Sequence, residues 1–98
     1  MKNSAEKYKN IILPLIVKYV PRAKIILYGS RARGDARAGA DIDIALDIGG
    51  KIESLVMSRI MEDVEKSNLP ISFDIVDFYA ISVKMQQEIL KDGVVWQQ

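Results

Sequence analysis

Apolar and polar positions change period several times along the chain, and each change marks an element. Between residues 5 and 19, Tyr8, Ile11, Ile12, Leu15, Ile16 and Tyr19 recur at spacings of three and four, the stripe of an amphipathic helix. Ser4 is placed to act as its N-cap. Pro14 falls inside the stripe and is expected to kink the helix or divide it near Leu13, and Pro21 closes it. The run Lys24-Ile25-Ile26-Leu27-Tyr28, rich in β-branched residues and ended by Gly29, reads as a short buried strand. Residues 29–40 hold three glycines with alternating Arg and Ala, which reads as a loop with a short helical turn after Ser30.

Asp41-Ile42-Asp43-Ile44-Ala45-Leu46 alternates with a period of two. It predicts a half-buried strand with the aspartates on one face and Ile42, Ile44 and Leu46 on the other. Gly49-Gly50 turns the chain, and Ile52, Leu55, Val56, Met57, Ile60 and Val64 mark a second helix that ends before Pro70. Residues 71–76 form a third strand, with Phe73 and Ile75 on one face and Asp74 and Val76 on the other. A last helix from about Ser82 to Lys91 displays Met85, Ile89 and Leu90 and stops at Gly93 as its C′ residue. The apolar tail Val94-Val95-Trp96 suits either a sheet edge or a partner. This order predicts an α/β fold: a small mixed β-sheet with helices packed on one face.

Composition narrows the function. At 98 residues the chain is read as a single domain, 1–98, too short for a catalytic core plus a separate substrate domain. With 49% apolar and 28% charged residues it is an ordinary globular composition rather than a disordered one. No apolar run approaches the roughly 20 residues of a membrane span, and Met1-Lys2-Asn3-Ser4 lacks a signal-peptide core, so a cytoplasmic protein is expected. The absence of Cys and His removes disulfides, zinc–thiolate sites and imidazole chemistry, leaving carboxylates, hydroxyls, Lys, Arg and metal. A net charge of +1 argues against an extended nucleic-acid partner. Locally, Arg22, Lys24, Arg31, Arg33 and Arg37 face only Asp35, and Asp41, Asp43 and Asp47 follow at once: a basic loop abuts an acidic strand.

Two residues apart on a strand, Asp41 and Asp43 point to the same side about 6.6 Å apart. Alone, such a pair is more often a solvent-facing polar stripe. Asp74 shifts the balance, because it lies in a second alternating strand, and three carboxylates on one sheet face repel unless a hard cation such as Mg²⁺ sits among them. Asp77, of opposite parity, is given a structural or surface role. Gly29-Ser30 ends a buried strand, where a glycine lets the backbone approach a phosphate, although plain turn chemistry is the commoner reason for a glycine there. The segment is no P-loop, since Asp35-Ala36 follows Gly34 where Lys-Ser/Thr is required.

Gly29-Ser30, ten residues, Asp41-Ile42-Asp43 and a later Asp74 together resemble the signature of the minimal nucleotidyltransferases of the DNA polymerase β-like superfamily. Residues 27–44 look like that family nearly residue by residue, and Phe73-Asp74-Ile75-Val76-Asp77 and Ile89-Leu90-Lys91-Asp92-Gly93-Val94 extend the likeness. The resemblance implies the polymerase β-like fold and a transfer of AMP from ATP. In it Asp41 and Asp43 hold two Mg²⁺ ions, Asp74 completes one metal site and accepts the nucleophile's proton, and Gly29, Ser30, Arg31 and Arg33 contact the nucleotide. An exposed loop arginine is, however, more often simply solvated. Ala38 and Ala40 stand where relatives often carry Pro and Ser.

Relatives of this size resemble the antitoxins of two-gene systems whose other half is a helical HEPN-domain protein, often a ribonuclease, which they silence by adding AMP to a tyrosine. A partner-protein hydroxyl is therefore the expected acceptor, with a homodimer or a heterocomplex both compatible. Two other readings stay open: a non-catalytic subunit that neutralises a HEPN partner by contact, and a nucleotidyltransferase acting on a small molecule or on RNA ends.

Overall fold

Apolar alternation in the strands decides how the sheet is covered. The computed structural model describes residues 5–98, and Ser4, the expected N-cap, lies outside them. The elements run α1 (Glu6–Val17), β1 (Lys24–Tyr28), α2 (Gly29–Arg33), β2 (Ile42–Asp47), α3 (Ser54–Lys66), β3 (Phe73–Asp77), a single 3₁₀ turn (Phe78–Ala80), α4 (Val83–Asp92) and β4 (Val94–Gln97). The four strands form one mixed sheet in the order β3-β2-β1-β4. β1 runs antiparallel to β2 and β4, whereas β2 and β3 are parallel and so need a crossover, which α3 provides.

On one face, Ile25, Leu27, Ile42, Ile44, Leu46 and Ile75 pack against Ile12 and Ile16 of α1 and Ile60 and Val64 of α3. On the other, Ile26, Tyr28 and Ala45 meet Phe78 and Ile89. The expected α/β architecture is present, and α1 and α3 share a face; the placement of every helix there is corrected for α4. The physical reason lies in β1, whose last four residues are all buried. A strand apolar on both sides needs cover on both.

The helical stripes are narrower than the periodicity implied. Ile12 and Ile16 are fully buried, but Ile11 is 47% exposed, as are Leu55 of α3 at 63% and Leu90 of α4 at 62%. α1 runs unbroken through Pro14. Pro14 cannot donate to the carbonyl of Asn10, four residues back, and both residues are exposed, so water can serve that carbonyl. The last glycine also differs from expectation: Gly93 is extended (φ −67°, ψ 147°), not left-handed. A Cβ there would collide with the Ile89 carbonyl and the Ile26 side chain, so close packing of α4 on β1 is what requires glycine. The apolar tail becomes β4, burying Trp96, while the Gln97 side-chain amide donates to the Ala23 carbonyl at 3.2 Å.

Two polar anchors hold this frame. Asp77 is buried, its carboxylate accepting from the backbone N–H of Ile52 at 2.8 Å and of Tyr79 at 3.0 Å, so its role is structural. Asp77→Ala leaves both donors unserved and is expected to destabilise the protein by about 2–3 kcal/mol, read as a lower midpoint in urea. Between α1 and α3, the Tyr19 hydroxyl donates to Asp63 at 2.8 Å, and the Lys18 ammonium stands 3.6 Å away. The Tyr19 hydrogen bond, with help from Lys18, holds the Asp63 carboxyl below its ordinary value of 3.8. A depressed carboxyl stabilises the fold above the unfolded-state pKa, and that contribution fades as pH falls through the lowered folded-state value. Tyr19→Phe should therefore melt earlier than the native protein near neutral pH, with the difference closing in acid.

Candidate active site

The parallel register of β2 and β3 sets Asp43 directly beside Asp74 and Ile42 beside Phe73. Neighbouring strands lie about 4.8 Å apart, so two carboxylates project side by side from one face. Asp41 precedes β2 with the same parity as Asp43 and is exposed. Asp74 thus lies on the side of the sheet to which Asp43 points, and Asp41 is close enough for its charge to act on Asp43. Asp43 is half-buried and Asp74 exposed. Burial, then the charges of Asp74 and Asp41, pushes the Asp43 carboxyl above its ordinary value, with Arg33 acting in the opposite direction.

β1 delivers the next part. Tyr28 pairs with Asp43, and Gly29 follows with φ +72°, a left-handed conformation that glycine adopts without a Cβ penalty. A Cβ on Gly29 would strike the Asp43 carboxylate, so this glycine is required both by its backbone and by the side chain against it. α2 starts at Gly29 and ends at Arg33, and Gly34 caps it at φ 85°. The first backbone N–H groups of a helix have no partners within it. Here they stand at the edge of the carboxylate pair, with the partly exposed Ser30 at the second position.

The two arginines singled out for the nucleotide part company. Arg31 is buried, and its Nε and Nη2 donate to the Ala40 carbonyl at 3.2 and 2.7 Å. Arg33 is exposed, pairs with Asp35 at 3.1 Å and faces Asp43 closely enough to lower its pKa. Arg33 therefore places a positive charge on the open side of the site.

Other groups at the site carried no motif. The Tyr28 hydroxyl is buried without a hydrogen-bond partner among the described residues, and burial, then Asp43 and Asp74, pushes its pKa up to about 12. At neutral pH it remains a donor. A cavity of about 390 Å³ opens beside it between β1, α2 and α4, lined by Tyr28, Gly29, Arg33, Met85, Glu88 and Lys91 among others. Only the register of Tyr28 against Asp43 and the crossing of α4 reveal these groups. A second cavity, of about 380 Å³, lies between α3 and β3 around Met61, Leu69 and Phe73 and contains none of the predicted site residues.

Among the described residues, no three acidic side chains stand close enough as placed to enclose a metal ion. The chemistry of the donors still suits a hard divalent cation: all three are carboxylates, and burial together with two like charges pushes the Asp43 carboxyl upward, a cost that a bound cation would offset. In metal-free protein this crowding is a cost. Asp43→Asn is accordingly expected to raise the melting temperature of the metal-free protein by roughly 2–5 °C, whereas an unchanged or lower value would show that the carboxylates do not repel.

Comparison with known proteins agrees with this geometry. The family model for polymerase β nucleotidyltransferases matches residues 7–96. A curated relative, "Probable protein adenylyltransferase MntA" of Haemophilus influenzae, is 28% identical over 88 residues, covering 90% of this chain and 77% of its own. Among solved structures, a toxin–antitoxin complex with AMP-PNP superposes with a TM-score of 0.75 at 24% identity, covering 91% of this chain and 72% of the other. The tri-AMPylated Shewanella oneidensis HEPN toxin in complex with MNT antitoxin gives 0.71 at 22% identity, covering 94% and 71%. These last two likenesses concern the fold. With a model spanning nearly all of the sequence, and with the glycine turn and the paired aspartates in place, the chain belongs to the polymerase β-type nucleotidyltransferase family and is a nucleotidyltransferase.

Proposed function

We propose that residues 1–98 form one Mg²⁺-dependent adenylyltransferase domain that moves AMP from ATP to a hydroxyl of a HEPN-type partner protein, acting in the cytoplasm as the antitoxin of a two-protein pair. The observation that carries this reading is the side-by-side placement of Asp43 and Asp74, with Gly29 packed on Asp43. The relative with an adenylyltransferase name and the neighbour solved with a HEPN toxin support the choice of nucleotide and partner.

Asp41, Asp43 and Asp74 would hold the metal, two ions in the full site. Bound Mg²⁺ supplies positive charge to the phosphates and to the oxygens of the bond being made and broken. The chain's own groups do the rest. Backbone N–H groups after Gly29, the Ser30 hydroxyl and Arg33 grip the phosphates. The acceptor hydroxyl oxygen bonds to the α-phosphorus as the bond from that phosphorus to the bridging oxygen of the β-phosphate breaks, releasing pyrophosphate. The hydroxyl proton passes to Asp74, the exposed carboxylate on the edge strand. Arg31 is not used as a phosphate contact in this scheme, since its Nε and Nη2 donate to the Ala40 carbonyl.

A second reading, a subunit that neutralises its partner by contact alone, draws on the absence of an enclosed three-carboxylate cluster among the described residues. One experiment separates them. The protein is incubated with Mg²⁺, ATP labelled at the α-phosphate, and the product of the neighbouring gene. Label on the partner that falls roughly a hundredfold or more in the Asp41→Asn/Asp43→Asn variant is the expected outcome. Neutralisation of the partner that persists unlabelled in that variant would establish the binder instead.

A further inference from the structure

Asp41 sits at the end of a loop rather than inside a strand, so something must aim it. The segment before it contains Gly34 and Gly39, both at positive φ, and a turn in which the Ala40 N–H donates to the Arg37 carbonyl at 3.0 Å. None of these contacts fixes the peptide plane between Ala40 and Asp41. The carbonyl of that plane instead receives both Nε and Nη2 of Arg31, a residue of α2 nine positions earlier and 8% exposed. The next plane, between Asp41 and Ile42, is held from the other side: the Ile42 N–H donates to the Ser72 carbonyl at 2.9 Å, at the foot of β3. With the planes on both sides of its Cα hydrogen-bonded, Asp41 has little freedom in φ and ψ, and its Cα–Cβ direction follows.

We infer that Arg31 is a positioning residue: it clamps the Ala40 carbonyl so that the Asp41 carboxylate is presented on the same side as Asp43 and Asp74. The inference rests on the metal-dependent reading of the site. It also accounts for Ala40. A clamp on a backbone carbonyl asks nothing of the side chain at that position, so alanine serves there without loss of the contact. Guanidinium is suited to the task because its planar fork offers two donors to one acceptor.

Two substitutions at position 31 discriminate clamp from phosphate contact. Arg31→Met keeps the apolar stem and removes the donors. Arg31→Gln removes the charge but places its amide nitrogen where Nε now lies, 3.2 Å from the Ala40 oxygen. The native protein and both variants are titrated with Mn²⁺ in the presence of AMP-PNP and without acceptor, with free Mn²⁺ read by electron paramagnetic resonance. AMP-PNP affinity in EDTA and thermal melting are measured alongside.

Arg31→Met is expected to weaken Mn²⁺ binding about tenfold, as loss of an outer-shell support does, with metal-free AMP-PNP affinity changed less than twofold. Arg31→Gln is expected to lose less than threefold in Mn²⁺ affinity. In an Asp41→Asn background, Arg31→Met should add little, because the carboxylate it aims is gone. Equal Mn²⁺ affinity in Arg31→Met and the native protein would overturn the clamp. So would a fall in metal-free AMP-PNP affinity shared by the Met and Gln variants, the mark of a lost phosphate charge. If Arg31→Met melts out, Arg31→Gln decides: retained Mn²⁺ affinity supports the clamp and a tenfold loss overturns it. Failure of the native protein to bind Mn²⁺ at all would overturn the metal reading, and this inference with it.

Discussion

Pairing of β2 with β3 in one register carries most of the consequences in this molecule. Ile42, Ile44 and Leu46 are fully buried against α1 and α3, and because side chains alternate strictly along a strand, their burial sends Asp43 to the opposite face. A slip of one residue would expose three large apolar groups and bury two charges, which makes alternative registers costly. The hydrophobic side of the strand therefore places the polar side. Asp77 reinforces the arrangement from the end of β3, tying the chain at Ile52 to the strand beside β2.

On the polar side, attraction and repulsion are deliberately unbalanced. Asp43 lies against Gly29, beside Asp74 and within range of Asp41, and among the described residues Arg33 is the cation that offsets these two neighbouring negative charges. Such crowding disfavours ionisation unless a cation or a cationic group is supplied from outside. The nearby Tyr28 hydroxyl, buried and still protonated at neutral pH, adds a donor with no acceptor among the described residues. The site is thus assembled from groups that are incomplete by themselves, as expected where a ligand completes the set.

The two faces of the sheet divide the labour. α1 and α3 close the large core and hold the strands, and the Tyr19–Asp63 contact links them. α4 lies across the other side, where Gly93 lets it come down onto Ile26 and the cavity beside Tyr28 opens. Among the described residues no helix is long and apolar enough to cross a membrane.

Much of this was legible in the residues themselves. Period-two alternation located β2 and β3 and assigned Asp43 and Asp74 to the polar face, because parity along a strand is a local property. The Gly29-Ser30 turn and the aspartates were recognisable for the same reason, as chemistry carried by neighbours in sequence. The contact of Arg31 with Ala40 was not, since a guanidinium in a basic loop looks alike in sequence whether it meets a phosphate or a carbonyl nine residues on. Nor could spacing place α4 on the second face, show why Gly93 must lack a Cβ, or bring Tyr28 beside Asp43, for these depend on which strands pair and where a helix crosses them. Local patterns determined which residues could do chemistry. Long-range pairing, driven by burial of the apolar faces, decided which of them meet.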